Sequence, residues 1–198
     1  MIDRRFDRAL LVATFAGTLF AAPLAAQASA GAYGASSYRG FVGINPLGIP
    51  FDIFSIEAEG WLLPGFTVGG SGSYNSVRGD IGAGGRDPRF GSGDVKVRYY
   101  PAEIPFRGLA VGLGLGVTRY SSVVQVATPG GLGEDRQHVT APTISIFGDY
   151  NYLIGARQRF VVGTGVGAKR LLASEGERDR ADAPRAWVFV RFVLGLAF

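Results

Sequence analysis

The stretch "WVFVRFVLGLAF", Trp187 to Phe198, puts Val188, Val190, Phe192, Leu194, Leu196 and Phe198 at every second position. Six consecutive apolar sites at a period of two describe one face of a β-strand, whereas a helix would scatter them around its circumference. Arg191, Gly195 and Ala197 fall on the opposite face, so the arginine needs no place among the valines. The same alternation recurs upstream. "DVKVRYY" separates Val95, Val97 and Tyr99 from Asp94, Lys96 and Arg98, and "LAVGLGLGV" sets Leu109, Val111, Leu113, Leu115 and Val117 against Ala110, Gly112, Gly114 and Gly116. "TISIFGDYNY" divides Ile144, Ile146, Tyr150 and Tyr152 from Ser145, Asp149 and Asn151. Helical periodicity is scarce, and the chain is predicted to be all-β.

Turn residues punctuate the pattern into strands near 37–45, 53–62, 66–77, 91–100, 109–127, 139–154, 160–172 and 185–198. The joins alternate in character. "LLPG", "PAEIPFRG" and "GARQR" read as compact turns, while "VRGDIGAGGRDPRF", "TPGGLGEDRQ" and "SEGERDRADAP" read as longer polar loops. The first join, "NPLGIPFD", is short where the pattern asks for a long one. An even strand number with alternating short and long hairpin connections is the layout of a transmembrane β-barrel.

The N-terminus carries a different signal. Arg4, Arg5 and Arg8 precede the apolar run "ALLVATFAGTLFAAPLAA", and Ala26-Gln27-Ala28 supplies a small-residue cleavage site. That is the three-part layout of a secretory signal peptide, residues 1–28, with 29–36 a loose leader and 37–198 the barrel. Pro23 argues against a retained membrane helix. Beyond it, no run of about 18 apolar residues remains. The chain has no cysteine, so neither a disulfide framework nor a thiolate metal site is open to it. Its net charge of +4 is spread along the sequence without a basic run, which gives nucleic acid no patch to bind.

Alternation alone does not say which face lies inside, since a soluble lipocalin-like barrel also has eight strands. Two features favour lipid outside. Gly112, Gly114 and Gly116, and again Gly163, Gly165 and Gly167, weaken a water-facing strand but make room inside a narrow barrel. The aromatics also divide by height: Trp61, Phe66, Tyr99, Tyr100, Tyr150, Tyr152, Phe160 and Phe198 near the turn end, Tyr74, Phe90, Tyr120 and Trp187 near the loop end. Two girdles flanking an aliphatic band fit the two membrane interfaces.

On these residues the chain resembles the small eight-stranded outer-membrane β-barrels of Gram-negative bacteria, the OmpA-transmembrane-domain, OmpX and OmpW-like type. The resemblance implies an antiparallel up-and-down transmembrane barrel in the bacterial outer membrane. It also implies that Val190, Phe192, Leu194, Leu196 and Phe198 are read by the barrel-assembly machinery during insertion.

The alternation directs Glu57, Glu59, Asp94, Lys96, Arg98, Asp149, Lys169 and Arg191 into the lumen, four acids against four bases. An eight-stranded barrel is only wide enough for its own side chains, so these charges are expected to form an ion-paired plug; an ion path along them is the alternative. Enzymes of such barrels need a serine–histidine pair with an orienting acid. The one histidine, His138, is placed far from Ser122 if residues 127 and 138 pair, and no enzyme is expected. One histidine without cysteine offers no metal set, and no cofactor is expected. Arg86, Arg89, Arg178, Arg180 and Arg185 in the loops are candidates for lipopolysaccharide phosphates. "SSVVQVA" and "HVTAPT" are expected to rise above the membrane as a hairpin, an edge on which a partner strand can add. The expected role is structural or interactive at the cell surface, with a narrow channel or carrier for small apolar solutes as the second reading.

Overall fold

The computed structural model describes residues 38–75, 89–128 and 131–198. The expected signal peptide and leader, together with Arg86, lie outside the described residues. Eight strands, each antiparallel to its neighbours, close into one barrel in chain order. They are β1 (Gly40–Ile44), β2 (Ile53–Leu63), β3 (Phe66–Asn75), β4 (Arg89–Tyr99), β5 (Gly108–Thr128), β6 (Gly131–Ile154), β7 (Phe160–Leu171) and β8 (Ala186–Ala197). Closure comes from β1 against β8, Phe41 pairing with Ala197 and Ile44 with Leu194.

The faces are those the alternation predicts. Leu115 and Ile146 are each 64% exposed and Val188 71%, while Arg98 is 2% and Asp149 0% exposed. Aliphatic residues form the outside, and acids and bases the inside. Glycine is where the inward side chains need it: a Cβ on Gly165 would fall on the Asp149 carboxylate, and one on Gly112 on the ring of Phe147.

Three expected boundaries are corrected. First, β1 is only five residues long. Asn45 accepts from Leu47 N at 3.1 Å and caps a 3-10 helix, Pro46–Phe51, which ends at Asp52 with φ 55°. Pro46 brings no N–H and cannot extend a ladder, so "NPLGIPFD" is a helical turn and the first strand stops early. Second, "TPGGLGEDRQ" is not a long loop, because β6 already begins at Gly131 and pairs back to Thr128. Third, "SEGERDRADAP" contains a helix, α1 (Glu175–Arg180), closed by a capping box between Ser174 and Glu177.

Among the described residues the β5–β6 hairpin outruns its neighbours: β4 pairs with β5 as far as Ser121, and β7 with β6 as far as Thr143. Beyond those points the two strands pair with each other as a ribbon. Its base is seated by Val139, Ala141, Leu171 and Ala181, with Tyr120 and Trp187 packed against them. The Ser122 hydroxyl donates to Ala181 O at 2.6 Å, tying the ribbon to the segment after α1.

The aromatic girdles are half as expected. At the turn end, Phe66 and Tyr99 contact each other at 4.9 Å, Tyr150 and Tyr152 at 4.7 Å, and Phe160 and Phe198 are exposed. Trp61 pairs with Thr67 on the lumen side of that rim, beneath the Arg39 guanidinium. Tyr100 is buried in the lumen. At the loop end Phe90, Tyr120 and Trp187 also lie on lumen-facing positions, and the outward aromatics are Tyr74 and its cross-strand partner Phe54.

Candidate functional site: the charged lumen

The lumen is filled in layers. At the turn end Phe41, Phe106, Val161, Val193 and Ala197 form an apolar floor, with Phe41 and Phe106 edge to face at 5.6 Å. Above it lies an ionic layer centred on Arg98. Its Nε donates to Asp149 Oδ2 at 2.7 Å, its Nη1 to Glu59, and its Nη2 lies 3.5 Å from Glu57 Oε2. Arg191 takes the other side of Glu57, with Nε 3.0 Å from both carboxylate oxygens, and donates from Nη1 to Asn151 Oδ1 at 2.9 Å.

Hydroxyl and amide groups complete this layer. Tyr100 donates to Glu59 Oε1 at 3.1 Å and accepts from Asn151 Nδ2 at 3.0 Å, and Thr67 also donates to Glu59. A second, smaller set stands beside it. Lys169 Nζ reaches both oxygens of Asp94 and the Ser92 hydroxyl at 2.7 Å, and Thr118 donates to Ser92 at 3.0 Å. The Ser92 hydroxyl in turn donates to Asp94 at 3.0 Å.

The eight charged residues expected inside therefore all face the lumen, and seven of them are ion-paired, in two sets. Lys96 differs. Its ammonium lies 5.5 Å from the Phe147 ring centroid and makes neither an ion pair nor a hydrogen bond among the described residues. Tyr100, Asn151, Thr67, Ser92 and Thr118 belong to the network although they carry no charge that marks them in the sequence. Parity is the signal that finds them. Tyr100, Asn151 and Ser92 stand two places from Arg98, Asp149 and Asp94, and Thr67 and Thr118 two places from the inward Gly69 and Gly116.

The serine–histidine geometry is corrected. The ribbon register pairs Ala127 with Leu132, so His138 stands directly opposite Ser121, not far from the serines. Ser121 and His138 share the outer face of the ribbon, yet neither side chain makes a hydrogen bond among the described residues. Ser122 points the other way and is held by Ala181 O. Among the described residues no cluster of three or more His, Asp or Glu is placed to hold a metal ion.

The loop arginines divide. Arg178 turns to the Ala173 carbonyl at 3.4 Å and to Glu175 at 3.9 Å, and Arg180 donates to Gly176 O at 3.0 Å. Arg89 is half-buried on the outer face of β4, and Arg185 is exposed.

No family model matches the sequence, and no curated protein matches it. Among solved structures, the chain is similar to the N-terminal β-barrel domain of Pseudomonas aeruginosa OprF, with 12% identity over 81% of this chain and 98% of that one and a TM-score of 0.46.

Proposed function

We propose that this is an integral outer-membrane β-barrel of the bacterial envelope, exported by its signal peptide, with a side-chain-filled lumen and a structural or surface-interaction role. The observation that carries this reading is the inverted polarity of the barrel. Its outer wall is a continuous belt of Val, Leu and Ile, far larger than the few hundred Å² of apolar patch that a water-soluble monomer tolerates. Its interior is ionic and sealed below by phenylalanines. Hydrocarbon is the solvent for which such a surface is suited, and a closed barrel leaves almost no backbone group unsatisfied there.

The filled lumen supports a non-conducting, non-enzymatic barrel. The edges of the ribbon beyond the last strand pairs described support a surface-contact role. Exposed Arg119, Arg170, Arg180 and Arg185 stand at the loop end, where lipopolysaccharide phosphates would meet them, with Arg86, Arg89 and Arg178 in the same role. The closing strand, Val190 to Phe198, serves the assembly machinery.

The test is to fold the mature chain into lipid vesicles and run it on a gel with and without boiling. A folded barrel migrates faster unboiled and is not extracted by alkaline carbonate. A single unshifted band, or protein left in the aqueous phase, would refute membrane placement. Stable single-channel steps in a planar bilayer would refute the sealed lumen.

A further inference from the structure

The wall of the barrel is incomplete at one place. β1 stops at Ile44, so the first part of β8, Ala186 to Val193, has no strand on its β1 side. Ile53 to Ser55 of β2 face the same gap, which the 3-10 helix Pro46–Phe51 flanks on both sides and one strand-type hydrogen bond, Asn45 N to Ser55 O, bridges. An open sheet edge at membrane depth is costly unless it lines a polar cavity. A cavity is there. It measures ≈ 420 Å³, and residues of both barrel faces line it. Lys96, Lys169, Arg191, Glu57, Asp94 and Ser145 line it from the lumen, while Ile44, Ile56, Val188, Val190 and Phe192 belong to outward positions of the strands at the gap. The cavity thus lies in the lumen against the unpaired edges of β2 and β8.

Its polar end holds groups that the plug leaves unused. Lys96 has only the Phe147 ring at 5.5 Å and no ion pair or hydrogen bond among the described residues, while the carboxylates Glu57 and Asp149 are held by Arg98 and Arg191. The Ser145 hydroxyl is 3% exposed and makes no hydrogen bond. It lies beside the Lys96 stem, since a Cβ on the intervening Gly114 would meet both. A half-buried lysine free of ion pairs, two strands across from an unmatched buried hydroxyl, suits an acceptor with one negative charge.

We propose that this cavity binds a single-chain amphiphile with a carboxylate head, the head on Lys96 and Ser145 and the hydrocarbon chain leaving between β2 and β8 into the bilayer. The inference rests on the membrane placement above and gives the carrier reading a substrate class. The volume is at the small end of ligand cavities, suiting one chain rather than the two of a phospholipid. Ile44, Ile56, Val190 and Phe192 give the chain an apolar exit. Pro46, which brings no N–H, keeps β1 from growing into the gap.

Trp187 lines the cavity and provides the readout. In a Trp61→Phe background folded into phosphatidylcholine vesicles, dibromo-hexadecanoate is titrated while tryptophan fluorescence is followed. Saturable quenching is expected, with at least tenfold weaker binding for the brominated alcohol and for Lys96→Gln. Ile56→Phe combined with Val190→Phe, which fills the exit without touching the charges, is expected to abolish it. Equal quenching by dibromo-phosphatidylcholine, or quenching unchanged in both variants, would overturn the proposal. So would a cross-linked dimer through the β8 edge with no fatty-acid quenching. Each variant is first checked for the heat-shifted band. If the parent lacks that band, it is the membrane placement that fails, not the site.

Discussion

Replacing Arg98 by methionine tests whether the lumen is a dry ionic plug or a wet channel. The guanidinium is 2% exposed and touches three carboxylates, Glu57, Glu59 and Asp149. Without it, Glu57 keeps Arg191 and Asp149 keeps the same arginine at 3.9 Å, but Glu59 loses the one cation that pairs with it among the described residues. Removing one partner of a buried pair costs about 3–5 kcal/mol, because the other charge stays desolvated. With a urea slope of about 2 kcal/mol per molar, the unfolding midpoint in lipid vesicles falls by about 2 M. Adding Glu59→Gln should recover at least half of that loss, since glutamine still accepts from Thr67 and Tyr100 without bearing a charge. The pairing of loss and rescue is the diagnostic. A single variant within about 1 kcal/mol of the parent, or a double variant no more stable than the single one, would mean that water already solvates Glu59 and that the plug argument is wrong.

Leu115→Arg places a charge at an outward site 64% exposed, and a loss of about 2–4 kcal/mol is expected in the same titration if that site is at the bilayer midplane. Gly165→Ala drives a Cβ into the Asp149 carboxylate and should cost about 1–3 kcal/mol, whereas an alanine at Gly93, where nothing lies near, should be tolerated. Deleting 123–138 removes the ribbon tip and should leave the heat-shifted band intact while abolishing any surface binding that a pull-down detects. Hydrogen bonds from the Ser174 hydroxyl and amide hold the Glu177 carboxyl below the ordinary carboxylate range. The folded value is the lower one, so the contribution of this cap to α1 is present above the ordinary carboxylate pKa. It fades as pH falls through the lowered value, which amide exchange of Glu175–Arg180 would report and Ser174→Ala would abolish.

Strand identity and the sidedness of the eight charged residues are legible in the sequence because a period of two is a local property, carried by four or five residues without any tertiary knowledge. The errors share one origin. Height alone assigns Phe90, Tyr120 and Trp187 to a girdle, although each sits an even number of residues from an inward site on its own strand, namely Asp94, Gly116 and Arg191. "GLGEDRQ" reads as a loop because a ribbon with water on both sides has no apolar face to impose alternation. That one misreading shifts the expected hairpin register and moves His138 away from Ser121. The early end of β1 is written in Asn45-Pro46, a helix cap followed by a residue without an N–H. The gap it opens and the cavity behind it depend on where β8 and β2 stand in space. The spare cation on Lys96 is equally hidden. Four acids against four bases balance in a count, and only the contacts reveal which base is left over.

That leftover is informative about how the barrel can be both stable and incomplete. The ionic layer holds five charges in contact, with Arg98 and Arg191 shared among three carboxylates, and Lys169 with Asp94 adds a sixth and seventh in a separate pair. Lys96 offsets the remaining negative charge through space rather than through contact, so its ammonium is available to exchange partners at little structural cost. Lys96→Met should consequently destabilise the barrel by less than Arg98→Met, by a margin of at least about 2 kcal/mol given the contrast between long-range and contact pairing. The comparison is read in the urea titration already described. If the two losses were equal, the plug would depend on Lys96 no less than on Arg98, and a cation set aside for an incoming head group would have no physical basis.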